Sequence, residues 1–193
     1  FGFKGFIIDY SLSKKSNLKK VIFLKEWVTR DNINQIIGEQ ISGQIDFLSI
    51  DVDGIDLYLI DAIKIINPRV VCLEYCASLG KDISATVKYK DNFDRLREHP
   101  SGMYANASLK ACINVLKKKG YKFIGTVYGL NAFFVRSDIN LNKLRELNIY
   151  EGFEPHYGRT YLNNISQKEQ EEILRNLSWT PVSSKGFIGI NEN

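Results

Sequence analysis

The sequence predicts an α/β fold, a mostly parallel, doubly wound sheet with helices on both faces and a C-terminal antiparallel hairpin. Three observations carry that prediction. Apolar runs of strand length alternate with amphipathic stretches of helical period from residue 3 to residue 119. The runs "YKFIGTV" and "NAFFVR" are separated only by Tyr128, Gly129 and Leu130. A parallel crossover needs about a dozen residues or more, so these two strands must pair antiparallel. Finally, the apolar runs end in polar residues, as expected where strand ends form a ligand-binding rim.

The elements follow in order. "GFKGFIIDY" reads as a buried strand over residues 3–9 that ends at Asp9. The polar "SLSKKSNLKK" reads as a turn or short helix, and "VIFLKEWV" as a second strand. Thr29 is placed to cap a helix in "RDNINQIIGEQI", whose Ile33, Ile36 and Ile37 share one face. Beyond Gly43, "IDFLSID" is the third strand and "DLYLIDAIKII" the next helix. Pro68 separates that helix from the fourth strand, "RVVCLEY". Periodicity fades from Ala77 to Tyr104, a length of loop that usually serves function. A helix resumes in "ASLKACINVLKKKG", with Asn106 as a candidate cap. The hairpin follows, and the tail carries one amphipathic helix, "QKEQEEILRNL".

A chain of 193 residues with 44% hydrophobic content suits one globular body. The expected layout is a sheet domain over residues 1–140 and a helical or irregular extension over 141–193 packed on it. No apolar run approaches the roughly 20 residues of a membrane-spanning helix, so no membrane span is expected. Phe1 is not a start methionine, and "FGFKGFIID" lacks the parts of a signal peptide. The chain therefore reads as beginning inside a longer protein. The net charge of +4 concentrates at Lys14, Lys15, Lys19 and Lys20 and at Lys117, Lys118 and Lys119. The second group precedes Gly120 and reads as a solvated helix end, so no nucleic-acid partner is expected. Cys72, Cys76 and Cys112 form no CxxC pair. Cys72 and Cys112 lie in apolar stretches and read as small core residues, and a reducing cytoplasm is expected.

"FLSIDVDGID", residues 47–56, holds the chemistry. Apolar residues run into Asp51, Asp53 and Asp56 around Gly54. One reading is a haloacid-dehalogenase-like phosphatase, whose D-x-D-G motif would make Asp51 the nucleophile and Asp53 the acid. Two strands precede the motif here, a helix follows it at once, and no later strand ends in paired aspartates. A second reading is a glycosyltransferase with Asp51 and Asp53 as a DxD metal clamp. The stretch upstream is short for a nucleotide-sugar half-domain.

The third reading uses more of the chain. "GFKGFIID", "VTRDNIN", "DFLSIDVDGID", "RVVCLEY", "ASLKACINVLKKKGYKFIG" and "LNAFFVR" follow one another over residues 2–137. In that order they resemble the FkbM-like family of class I S-adenosylmethionine (SAM) methyltransferases. The resemblance implies a Rossmann-like sheet, SAM as methyl donor and a sugar or natural-product hydroxyl as acceptor. It implies that Asp9, with Tyr10 beside it, meets the ribose hydroxyls, and that Trp27, Val28 and Thr29 flank adenine. The family's first strand and glycine-rich loop would precede Gly2. SAM binding is expected to depend on them.

A hydroxyl acceptor needs a base or a metal. Asp51 and Asp53 are the candidate bases, and Asp51 with Glu74 the candidate Mg²⁺ ligands. Asp56 reads as a helix-start carboxylate remote from substrate. Gly54 reads as the residue that permits a tight turn where a side chain would crowd a ligand. His99 and His156 are candidate substrate contacts. The alternative outside catalysis is a Rossmann-like binding or scaffold domain without activity.

Overall fold

A computed structural model describes residues 4–11 and 21–188. Strands β1 (Gly5–Ile8) and β2 (Val21–Leu24) form a parallel pair. A four-stranded sheet follows, built from β3 (Gly43–Ile50), β4 (Ile66–Glu74), β6 (Tyr121–Val127) and β7 (Asn131–Arg136) in the order β3-β4-β7-β6. β3 and β4 are parallel, whereas β7 is antiparallel to both β4 and β6. A third sheet joins β5 (Ala85–Val87), β8 (Trp179–Ser183) and β9 (Gly186–Phe187), all antiparallel. The protein is therefore a mixed α/β fold with several sheets, and parallel pairing among the described residues is confined to β1–β2 and β3–β4.

Helix α1 spans Ile33–Gly38 and buries Ile33 and Ile37. Its cap lies three residues later than Thr29. Asn32 holds the cap position, while Thr29 and Asn32 exchange side-chain-to-backbone hydrogen bonds of 2.7 and 3.3 Å. Helix α2 (Asp56–Ala62) is shorter than its pattern suggested, because Ile63 is already extended and β4 begins at Ile66. Pro68 thus lies inside β4 and does not precede it. It costs no ladder bond to β7, whose register with β4 begins at Val70.

The stretch from Ala77 to Tyr104 is ordered by partners far away in sequence. It contains a 3₁₀ turn (Ala77–Leu79), β5 and helix α3 (Arg95–Glu98), and β5 pairs with β8 of the tail. Helix α4 (Leu109–Lys118) starts after Ser108, whose hydroxyl accepts the Ala111 N–H at 3.2 Å. Ser108, not Asn106, is its cap. Gly120, at φ +86°, ends the helix in a conformation that favours glycine. Lys117 and Lys118 lie in its last turn, as a solvated helix end requires. Lys119 instead turns inward and donates to the carbonyls of Asp61 and Ile63 at 3.0 and 3.1 Å. It thereby satisfies carbonyls at the end of α2. The other lysine group, Lys14 to Lys20, lies outside the described residues.

The tail contributes α5 (Ile149–Gly152), a π-helical turn (Gly158–Leu162), α6 (Gln167–Leu174), β8 and β9. It is therefore more than helix and loop. Leu174 and Val182 join the core cluster that α2, β4 and α4 fill with Leu57, Leu59, Leu73, Leu109 and Leu116. Among the described residues no helix is long and apolar enough to cross a membrane.

Candidate functional site

β3 and β4 run in register, with Ile50 opposite Leu73. Parallel pairing delivers the residues after their carboxyl ends to one place. Asp51 follows β3 and Glu74 closes β4. One ligand oxygen each from Asp51, Asp56 and Glu74 lies within 4.8 Å of the others.

Asp56 corrects the sequence expectation. It stands in the first turn of α2 but is fully buried. Its carboxylate accepts the Gly54 N–H at 3.0 Å and the Val52 N–H at 3.2 Å. It binds the turn that leads out of β3, and it belongs to the acid cluster rather than to a solvated helix end. Asp53 takes the left-handed conformation of that turn, at φ +60°, and its carboxylate meets Arg95 Nη1 at 2.6 Å. Gly54 needs no positive φ. A Cβ there would lie 2.2 Å from the Phe93 ring, so protein packing, not a ligand, excludes a side chain.

Crowding of acids sets their protonation. Burial pushes the Glu74 carboxyl up to about 7, aided by the nearby Asp51 and Asp56 charges. Burial pushes Asp56 up to about 7 despite its backbone hydrogen bonds. Asp51 is raised as well, by burial first and then by Asp53, while a hydrogen bond to Glu74 works the other way.

Asn106 completes this wall. It is 3% exposed and held at φ +59°. Its Nδ2 donates to Glu74 Oε2, and its Oδ1 is buried with no hydrogen-bond partner. The acids face a cleft of about 360 Å³. Asp51, Asp53, Glu74, Asn106, Arg95, His156 and Arg159 are among its lining residues, and the buried Asp56 lies behind them.

His156 and Arg159 come from the tail. The His156 Nδ1 accepts the Arg159 backbone N–H at 3.2 Å. Burial, and then the Arg159 charge, lower the imidazole to about 4. The ring is neutral at pH 7, with its proton on Nε2. His99 is not among the cleft residues. Its Nδ1 lies 2.7 Å from Ser101 Oγ in a local turn.

The residues expected at the cofactor are not among those that line the cleft. Asp9 Oδ1 accepts from the Ser11 N–H and hydroxyl at 2.6 and 2.7 Å. Tyr10 packs edge-on against Trp27 at 5.1 Å between ring centroids, and both rings are largely exposed. Val28 packs on the core, and Thr29 serves the turn before α1. One segment touches both groups. The Asp91 carbonyl accepts from Trp27 Nε1 at 2.5 Å, and Arg95 holds Asp53.

Sequence reasoning missed Arg95, Arg159 and the true place of Asn106. Arg159 lies three residues after His156 in "EPHYGR", the one available signal. Arg95 gave none, since arginine in a polar loop is ordinary. No protein-family model, curated protein or solved structure matches the chain.

Proposed function

We propose that the protein is a SAM-dependent O-methyltransferase of FkbM-like type, acting on a hydroxyl of a saccharide or related small molecule. The observation that carries this reading is the meeting of Asp51 and Glu74 at the ends of adjacent parallel strands, with a C-terminal antiparallel hairpin completing the same sheet. A sheet whose last two strands form a hairpin is what the sequence resemblance implies. The parallel β1–β2 pair agrees with a doubly wound arrangement in which it forms the other part. Three cysteines without a disulfide suit a reducing, cytoplasmic setting.

SAM, when bound, supplies a methyl group on a sulfonium centre. The exposed Tyr10–Trp27 pair offers flat apolar surface to a purine, and Asp9 keeps Oδ2 for a hydroxyl, since both of its bonds use Oδ1. The Asp51–Glu74 pair takes the acceptor's proton. A carboxylate raised towards neutrality is a stronger base than a solvated one, and it is still ionised in part at pH 7. Asn106 fixes Glu74 through its amide. Asp51, Asp56 and Glu74 are hard oxygen donors beside the unpartnered Asn106 Oδ1, a set that suits Mg²⁺. An ion there would lower the pKa of the acceptor hydroxyl.

Calorimetric titration of the protein with SAM tests the reading. Saturable binding that S-adenosylhomocysteine competes away is the expected result. No binding would leave a scaffold domain, and phosphate release without SAM dependence would assign the D-x-D-G motif to a phosphatase.

A further inference from the structure

Arg159 is the cleft arginine that makes no direct ion pair. Arg95 is matched by Asp53, but Arg159 makes no salt bridge to any described carboxylate. Its guanidinium is half-buried, and burial lowers its pKa from the ordinary arginine value. A charge withdrawn from water without a counter-ion is costly, so its retention needs a reason.

Its setting is built rather than accidental. Nη1 donates to the fully buried Ser78 hydroxyl at 2.9 Å. Ser78 donates in turn to the fully buried Gln170 at 2.6 Å. The Gln170 amide is held by Thr160 Oγ1 and the Ile165 carbonyl at 3.1 and 2.9 Å. This relay ties the guanidinium to the 3₁₀ turn after β4 and to α6. Beyond Ser78, the guanidinium's other close polar group is the buried Cys76 thiol, a weak partner, which leaves most of the capacity of Nε and Nη2 for a ligand. They form the edge of the fork that grips a carboxylate or phosphate with two parallel bonds. His156, neutral and protonated at Nε2, adds a donor from the lining of the same cleft. Glu74 is near enough for its charge to favour the Arg159 cation, but no described carboxylate makes a salt bridge to it, and Asp53 is already paired with Arg95.

We propose that Arg159, with His156, is the anion-binding subsite for the acceptor, so that the substrate class is an acidic saccharide bearing a carboxylate or a phosphate. The anion docks on the Arg159 fork and directs a hydroxyl of the same sugar to the Asp51–Glu74 pair. The proposal rests on the methyltransferase reading for what happens to that hydroxyl, but the docking step does not need SAM.

The test is therefore a binding experiment without SAM. Glucuronate, glucose 6-phosphate and glucose are titrated separately into the protein, followed by amide chemical shifts. At least one of the two acidic sugars should bind saturably, shifting amides at Tyr157–Thr160 and near Ser78, with glucose at least tenfold weaker. The tighter acid identifies the group as carboxylate or phosphate, and inorganic phosphate should compete. Arg159→Gln should weaken acidic-sugar binding by about 10-fold or more, the usual value of hydrogen bonds to a charged group. Arg159→Lys, which keeps charge but loses the fork, should fall between. Equal binding of glucose and the acids, no binding of either acid, or unchanged affinity in Arg159→Gln would each overturn the proposal. If Arg159→Gln fails to fold, the lysine variant and the three-sugar comparison on the unmodified protein still decide it. Glucuronate binding without SAM binding would keep the subsite and sink the methyltransferase reading. The reverse result would sink the subsite alone.

Discussion

Replacing Asp51 by Asn removes one carboxylate just past the end of β3 and adds no bulk. It should leave the melting temperature close to that of the unmodified protein. Methyl transfer should fall by ~10²–10⁴-fold, the usual loss when a general base is removed. Full activity in that variant would take Asp51 out of the chemistry. Asp56 answers differently, because it is buried and accepts two backbone N–H groups. Asp56→Ala should destabilise the fold by ~1–3 kcal/mol or more, read by denaturant unfolding, since buried donors are left unpaired. Gly54→Ala should also destabilise, by ~1–3 kcal/mol, because the added methyl meets Phe93. Asp51 and Glu74 were legible in the sequence because an apolar run that ends in acid announces a strand end. Asp56 was misread because a carboxylate at a helix start is usually solvated, and only tertiary packing reveals that this one is not. Arg159 was invisible because its meaning depends on Ser78 and Gln170, which approach it only in the folded chain.

At the scale of elements, the turn between β3 and α2 and the end of β4 act as one unit whose stability depends on protons. Asp56 and Glu74 titrate at about 7 in the fold, against ~4 for free carboxyls. Between those values the folded protein holds more protons than the unfolded chain. Stability therefore falls as pH rises through that window and levels off above it. His156 acts in the opposite sense, with a value of about 4 against ~6.5 when unfolded, but only below pH ~6.5. The melting temperature should accordingly rise when pH is lowered from 8 to 6.5, and Asp56→Asn should shrink that rise. If the acids hold Mg²⁺, the ion competes with those protons, so Mg²⁺ should raise the melting temperature more at pH 8 than at pH 6.5. A flat profile in both conditions would contradict the clustered-acid account. The strands over β1 to β4, β6 and β7 were legible from apolar periodicity, and α4 and α6 from amphipathic period. β5 was not, because three residues carry no period. It exists as a strand by pairing with β8, some 94 positions later in the chain, Ala85 against Pro181 to Val87 against Trp179.

At the scale of the whole molecule, the α/β class and the hairpin could be read from the sequence. The division into three sheets could not, because it depends on which edges pair. Tail strands β8 and β9 made the difference, turning a loop and an extension into a sheet against the body that carries the cleft. The same tail brings His156 and Arg159 to the acids of β3 and β4. The central claim is that the β1–β2 ends and the β3–β4 ends serve one SAM-binding site. Amide chemical-shift mapping of the protein with S-adenosylhomocysteine tests it most directly. The account predicts saturable shifts at Asp9–Ser11, Trp27–Thr29 and Asp51–Gly54 with a single dissociation constant. Absent shifts, or shifts confined to the β5-β8-β9 sheet, would contradict it.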